Sequence, residues 1–174
     1  MSDKTDHIHE QMLALSKDSR VVKRAHFIAA QSKRRLRQYI GVSIIILNVL
    51  IGSTLLDNAT PTNAAVIIRI LAVCAAALAA IQTFFNFQKD VEAHLSSGET
   101  YGSINRKLGF LMAEYNDNTR NRADIISDFK ALRDEYLKAN ADSKGCIPSD
   151  KDYERARAAI QKSEELEATS EPNV

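Results

Sequence analysis

The sequence has little of the chemistry on which enzymes and metal proteins depend. Among 174 residues there are two cysteines, three prolines, six glycines and no tryptophan. There is no glycine-rich phosphate loop, no paired cysteine motif and no nucleophile elbow, and the four histidines are scattered along the chain. We therefore predict that the protein is not an enzyme and has no catalytic residue, no cofactor and no metal site.

The few residues with metal-binding or redox chemistry are interpreted as ordinary side chains. Cys74 lies within a long apolar segment and Cys146 in a polar one, so we predict two reduced cysteines and no disulfide. His7 and His9 form an H-x-H pair, but a solvated polar tail over residues 1–18 is the favoured interpretation. His26 is assigned only a packing role.

Charge is missing from two long segments. Residues 39–56 contain no charged side chain and would span roughly 27 Å as a helix, and residues 70–88 are also uncharged, between Arg69 and Lys89. The linker DNATPTN between them is rich in turn-forming residues, and its sequon at Asn58 is interpreted as chance. We predict an all-α chain built on a two-transmembrane helical hairpin over residues 39–88. A buried hairpin in a soluble bundle is less favoured, because both segments are apolar nearly all round.

Basic residues precede the first span, and none occurs in the linker. Seven of them lie within residues 19–38, namely Arg20, Lys23, Arg24, Lys33, Arg34, Arg35 and Arg37. The positive-inside rule therefore predicts that both termini are cytoplasmic, in a multi-pass protein of the bacterial inner membrane. Residues 19–38 are predicted to form a basic amphipathic helix that contacts anionic lipid headgroups, with Val21, Ala25, Ile28 and Leu36 on its apolar side and no nucleic-acid role.

Each predicted span carries a face of small and polar residues, which we call the small-residue faces. On the first span this face comprises Gly41, Asn48 and Gly52, and on the second it comprises Arg69, Ala72, Ala76, Ala80 and Thr83. Such residues permit close helix packing, and an amide without a partner in hydrocarbon is costly. The faces either line a pore or pack the hairpin against itself, and both readings stay open.

Residues 89–168 are predicted to form a cytoplasmic helical region, with a disordered tail at 169–174. Breaks are predicted at residues 96–98 and 116–118, and a final helix from about Ser149, capped with the help of Asp152. Two apolar stripes on these helices are predicted to mediate homo-oligomer assembly. Their candidate assembly residues are Ile104, Leu108, Leu111, Ile125, Phe129 and Leu132.

Two stretches of the chain resemble a known family. They are AHFIAAQSKRRLRQYIGVSIIILNVLIGSTLL and QTFFNFQKDVEAHLSSGETYGSINRKLGFL, and they look like the SLATT family of two-transmembrane effector domains associated with SMODS nucleotide synthases and SLOG sensors. The resemblance implies a bacterial antiphage-defence effector that forms a pore or disrupts the membrane, causing abortive infection by cell death or dormancy. It also implies that the sensor or second-messenger synthase is a separate protein.

Three functional readings follow from the sequence. The leading one is an oligomeric membrane effector, because two helices cannot enclose a water-filled path alone. The second is a membrane tether whose cytoplasmic helices recruit a soluble partner without pore activity. The third, a soluble helical protein with a buried hairpin, is the weakest.

Overall fold

The computed structural model describes residues 3–55 and 62–170, which are helical with short connections and contain no strand. In chain order the helices are α1 Asp3–Leu55, α2 Thr62–Phe84, α3 Phe87–Asn116, α4 Arg122–Asp142, a 3-10 turn Ser143–Gly145, and α5 Asp150–Ser170. The all-α fold class is confirmed. The predicted turn at 57–63 and the sequon at Asn58 fall mainly on residues 56–61, and most of the predicted tail on 171–174, which lie outside the described residues.

The second apolar segment ends earlier than the sequence predicted. The helix stops at Phe84, and a new helix starts at Phe87. Asn86 caps this start, because its Oδ1 accepts a hydrogen bond from the backbone N–H of Lys89 at 3.2 Å. An asparagine side chain that bonds to a nearby backbone N–H favours a helix start over continuation of the preceding helix. The predicted uninterrupted helix through Gln88 is therefore wrong at residues 85–86.

The end of α3 and the start of α5 lie where the sequence predicted a break and a helix cap. α3 ends at Asn116, within the predicted break, and Asn118 has a φ of 51°, which asparagine tolerates better than most residues. Before α5, the Oδ2 atom of Asp152 accepts hydrogen bonds from the backbone N–H and hydroxyl of Ser149, while the Asp152 N–H donates to Ser149 Oγ at 3.3 Å. This reciprocal cap is the arrangement predicted for these two residues.

The predicted break at residues 96–98 is wrong, because α3 runs through it without interruption. Gly98 is buried, and a Cβ atom added to it would lie 3.2 Å from the ring of Phe27 on α1. The glycine therefore permits close approach of two helices, which is a common use of glycine inside a helix. The hydroxyl of Thr100 is satisfied within the helix by donating to Ser96 O at 3.0 Å.

The chain divides into two compact units. The first, which we call the bundle unit, comprises Met1–Ala30 and Glu92–Val174, and the second, the hairpin unit, comprises Gln31–Val91. α1 and α3 contribute residues to both. Each unit is held together by its own contacts.

The core of the bundle unit combines residues from both ends of the sequence. Its buried cluster contains Met12, Val22, Tyr101, Ile104, Leu108, Leu111, Ile125, Phe129, Leu132, Tyr136 and Ala139. All six candidate assembly residues belong to this cluster, so their side chains are covered within one chain and are not available to another copy. The structure thus assigns both stripes to intrachain packing instead of assembly.

The prediction of a polar tail over residues 1–18 is wrong for the described part of that segment. α1 starts at Asp3, Met12 is 0% exposed, and Ile8 and Leu15 pack against the core. The spacing of four and three residues between these apolar positions places them on one helical face. Because the face is only three residues long and surrounded by charges, the polar average of the segment conceals it.

Polar contacts fix α1 in the bundle unit. Asn105 Nδ2 donates to Ser16 O at 2.9 Å and lies 3.1 Å from the hydroxyls of Ser16 and Ser19. Tyr136 donates its hydroxyl proton to Oδ2 of Asp18, and burial with this hydrogen bond raises the pKa of Tyr136. The phenol therefore keeps its proton and remains a donor at neutral pH. These directional contacts set the register of α1 against α3 and α4.

We predict that Met12→Ala destabilises the bundle unit by about 2–5 kcal/mol, because it removes a fully buried side chain. The matched control is Leu13→Ala at the adjacent position, where the side chain is 37% exposed and the change should cost about 0.5 kcal/mol. Unfolding of the full chain in mild detergent, followed by near-ultraviolet circular dichroism of the buried tyrosines, measures both. Equal effects would contradict the packing of the N-terminal segment.

Candidate functional site

Two helical stretches, within His7–Ser53 and Ala65–Asn116, are long and apolar enough to cross a membrane. Only 0% and 6% of their most apolar 18-residue windows are buried inside the protein. A core helix of a soluble protein hides most of its apolar surface, and these stretches do the opposite. Burial thus argues against the reading of a soluble protein with a buried hairpin.

Partial burial marks one side of each span. The less exposed positions recur at spacings of three and four residues, except at one adjacent pair on α1. On α1 they are Ile40, Gly41, Ile44, Leu47 and Ile51, and on α2 they are Ala65, Ile68, Leu71, Ala75, Leu78 and Gln82. Because these stripes lie in one compact unit, they indicate the sides on which the spans pack within the hairpin.

The small-residue faces lie mostly outside these packed stripes. Asn48 and Gly52 are exposed on α1, and the same holds on α2 for Arg69, Ala72, Ala76, Ala80 and Thr83. On α2 most of these positions are displaced by one residue from the packed stripe, which is a rotation of about 100° around the helix. Gly41 is the exception, since it is half-buried.

The glycines confirm this placement. Among the residues that the structure describes, none has an atom within 4 Å of a Cβ added at Gly41 or Gly52. Neither glycine is therefore required for close helix approach within residues 3–55 and 62–170, in contrast to Gly98. On α2, Thr83 satisfies its hydroxyl by donating to Ala79 O at 2.9 Å, as hydroxyl residues in membrane helices commonly do.

The predicted membrane-surface basic residues fall into two groups. Lys33 forms an ion pair with Asp90 at 2.9 Å, Arg37 donates to Gln88, and the methylenes of Lys23 cover Gly102. The remaining three, Arg24, Arg34 and Arg35, are exposed. Part of the basic cluster thus serves contacts between α1 and α3, and the rest remains available to a charged surface.

Sequence reasoning missed a cluster in the bundle unit. His26 on α1 and His94 on α3 are 1% and 2% exposed, and their Nδ1 atoms lie 3.2 Å apart. One ligand atom of Cys146 lies within 4.8 Å of ligand atoms of both. Burial, and to a smaller degree His94, lowers the pKa of His26 to about 4, so this imidazole is neutral at neutral pH. The three residues are far apart in sequence, so no metal-binding spacing motif predicts that they lie together.

Residues 19–172 match the SMODS and SLOG-associating 2TM effector domain family 4. The chain belongs to this family. No curated protein and no solved structure matches the chain. The resemblance noted from the two sequence stretches is thereby confirmed, and the match covers the basic segment, both spans and the three helices that follow.

Membership of this family fixes the class of the protein. It is a two-transmembrane effector domain of the kind found in defence systems, and the family is not a known enzyme family. The family name associates such domains with SMODS and SLOG proteins. Together with the two unburied apolar stretches, the family indicates insertion into a membrane.

We predict that Ala75→Leu destabilises the hairpin by about 1–3 kcal/mol, because the alanine is only 6% exposed and the added atoms overpack its contact. Ala77→Leu is the matched control, since this alanine is exposed and lies outside the small-residue face, so a leucine there meets lipid or detergent. The measurement is the fraction of detergent-solubilised protein that stays monodisperse after heating. If the two variants lose the same fraction, the packed stripe on α2 has been assigned to the wrong side.

Proposed function

We propose that this protein is an antiphage-defence effector of the bacterial inner membrane that oligomerises and permeabilises the bilayer, leading to cell death or dormancy. The observation that carries the proposal is the exposure of the small-residue faces on both spans. A hairpin that used these faces only for its own packing would have covered them.

Exposed small residues are suited to contact between copies of the hairpin. Alanine and glycine at helical spacing let backbones approach closely, and a side-chain amide such as that of Asn48 can hydrogen-bond to a neighbouring helix in hydrocarbon. The two helices of one chain cannot surround a water-filled path, so permeation requires several hairpins around an axis. In such an assembly the Asn48 side chain either lines the water-filled pore or hydrogen-bonds to a neighbouring copy.

The bundle unit supports a topology with both termini on the cytoplasmic side. Its buried core joins the first thirty residues to the helices that follow the second span, so both flanks of the hairpin belong to one folded unit. A unit of this kind lies on one side of a membrane. The exposed Arg24, Arg34 and Arg35 favour the cytoplasmic side by the positive-inside rule.

Activation is assigned to a separate protein. The sequence carries no nucleotide-binding motif, and the family name associates these domains with SMODS and SLOG proteins. We propose that a sensor or a second-messenger synthase of these classes controls the effector. The bundle unit is the part of the chain on which such a signal would act, because it stands outside the hairpin.

We predict that Asn48→Leu preserves insertion and reduces leakage of dye from liposomes that contain the purified protein. A hydrogen bond from an amide side chain between membrane helices contributes about 0.6–2 kcal/mol, so losing it weakens association between copies roughly 3- to 30-fold. Val49→Leu is the matched control, because Val49 is a neighbouring exposed apolar residue. Arg69→Lys should also be nearly silent, since an interfacial anchor requires only a long cation.

The leakage assay separates the two leading functions. Leakage that rises with the ratio of protein to lipid, with crosslinked oligomers in the same vesicles, is the result expected for a pore. Full leakage from Asn48→Leu would remove the small-residue face from conduction. No leakage and no oligomer at any ratio would favour the membrane tether.

We predict that a reporter active only outside the cytoplasm is inactive when fused after Val174. The same reporter fused after Asn63, at the end of the linker, should be active, because the linker carries no basic residue and follows a single span. Colony assays with matched expression levels measure both fusions. An active C-terminal fusion would reverse the topology.

A further inference from the structure

We propose that His26, His94 and Cys146 form a binding site for a divalent transition-metal ion of the zinc class. Two imidazoles and one thiolate are the ligand types that zinc prefers, and one ligand atom from each lies within 4.8 Å of the others. The site joins α1, α3 and the segment between the 3-10 turn and α5. It goes beyond the proposed membrane activity and does not depend on it.

The distance between the two histidines fits a shared ion. Tetrahedral zinc holds two nitrogens at about 2.0–2.1 Å each, which places them about 3.3 Å apart. The Nδ1 atoms of His26 and His94 are separated by 3.2 Å. In the absence of an ion the same distance is bridged by one proton, with one imidazole as donor and the other as acceptor. An ion would replace that proton without moving either helix.

Cys146 completes three ligands with little movement. A zinc-bound sulfur lies about 3.6 Å from a zinc-bound nitrogen, and the ligand atoms lie within 4.8 Å of one another, so closing the site needs a shift of about 1.2 Å at most. Cys146 follows the 3-10 turn and precedes α5, and its backbone N–H donates to Ser143 O at 2.9 Å, so a shift of its sulfur requires only rotation of its short side chain. With three protein ligands the fourth position is left to water or another small ligand.

Neighbouring side chains support a metal-bound thiolate. Ser143 donates its hydroxyl proton to Ser97 Oγ at 3.2 Å, which leaves the Ser97 hydroxyl proton for Cys146 Sγ at 3.4 Å. A donor to the sulfur stabilises the thiolate and orients it. The ring of Tyr101 stacks on His26 with centroids 5.5 Å apart and fixes the orientation of this imidazole.

The site has a route of entry from the side of the thiol. A cavity of about 290 Å³ is lined by Ser97, Asp142, Ser143 and Cys146 among others, so the sulfur side of the cluster is accessible. A protein that only stabilised a buried histidine pair would require neither the thiol nor the cavity.

The test uses the full chain in mild detergent, stripped of metal and titrated with Co²⁺ and then with Zn²⁺. We expect one Co²⁺ per chain, a thiolate-to-cobalt charge-transfer band in the near ultraviolet, and loss of the band when Zn²⁺ displaces Co²⁺. Zn²⁺ should also raise the melting temperature of the bundle unit, because it binds only the folded state. Absence of binding at micromolar Co²⁺ and Zn²⁺ would overturn the proposal.

Variants identify the ligands. Cys146→Ser should abolish the charge-transfer band and weaken Zn²⁺ binding by about tenfold or more, while Cys74→Ser, the matched control in the second span, should leave both unchanged. His94→Gln should weaken binding similarly, with folding checked by circular dichroism. His7→Gln tests the H-x-H pair. Binding that survives Cys146→Ser, or that is lost in His7→Gln, would place the metal elsewhere and refute the site.

Discussion

The packing of α1, from Ile8 to Ala30, against the helices that follow the second span is the contact on which the rest of the structure depends. Met12 and Val22 belong to the same buried cluster as Leu108 and Phe129, from the far end of the chain. Both flanks of the hairpin are therefore parts of one folded unit. In sequence, the two spans are therefore an insertion between two segments that fold together as the bundle unit, and this arrangement supports the proposed topology with both termini on one side of the membrane.

The helical class, both spans and the late helix caps were predictable, because each depends on local sequence. The uncharged runs, the break at residues 116–118 and the Ser149–Asp152 cap each determine structure at or within a few residues of the signal itself. The helix at the N-terminus was not predictable from its average polarity. Its few apolar positions are covered by helices that lie about a hundred residues later in the chain. The local sequence does not indicate that these helices will pack against it.

Gly98 and Asn86 also have structural roles that the local sequence did not predict. Gly98 looks like a helix breaker beside two serines, yet its role is set by Phe27 on another helix. Asn86 looks like one polar residue in an aromatic stretch, yet it ends one helix and caps the next. The cluster of His26, His94 and Cys146 follows the same logic, because only tertiary packing brings its members together. Sequence spacing predicts sites built on one helix, and this site is built on three segments.

The exposed faces of the spans are best understood through the cost of polar groups in hydrocarbon. An amide without a hydrogen-bond partner there costs about 2–7 kcal/mol, depending on the reference state. Asn48 is exposed within the chain, and so is Gly52 one helical turn further along α1, where the missing side chain leaves room for another helix. Water in a pore or an amide of a second copy would both remove the cost, whereas lipid would not. In the proposed oligomer, the free energy released by covering this face would favour association of the hairpins in the membrane.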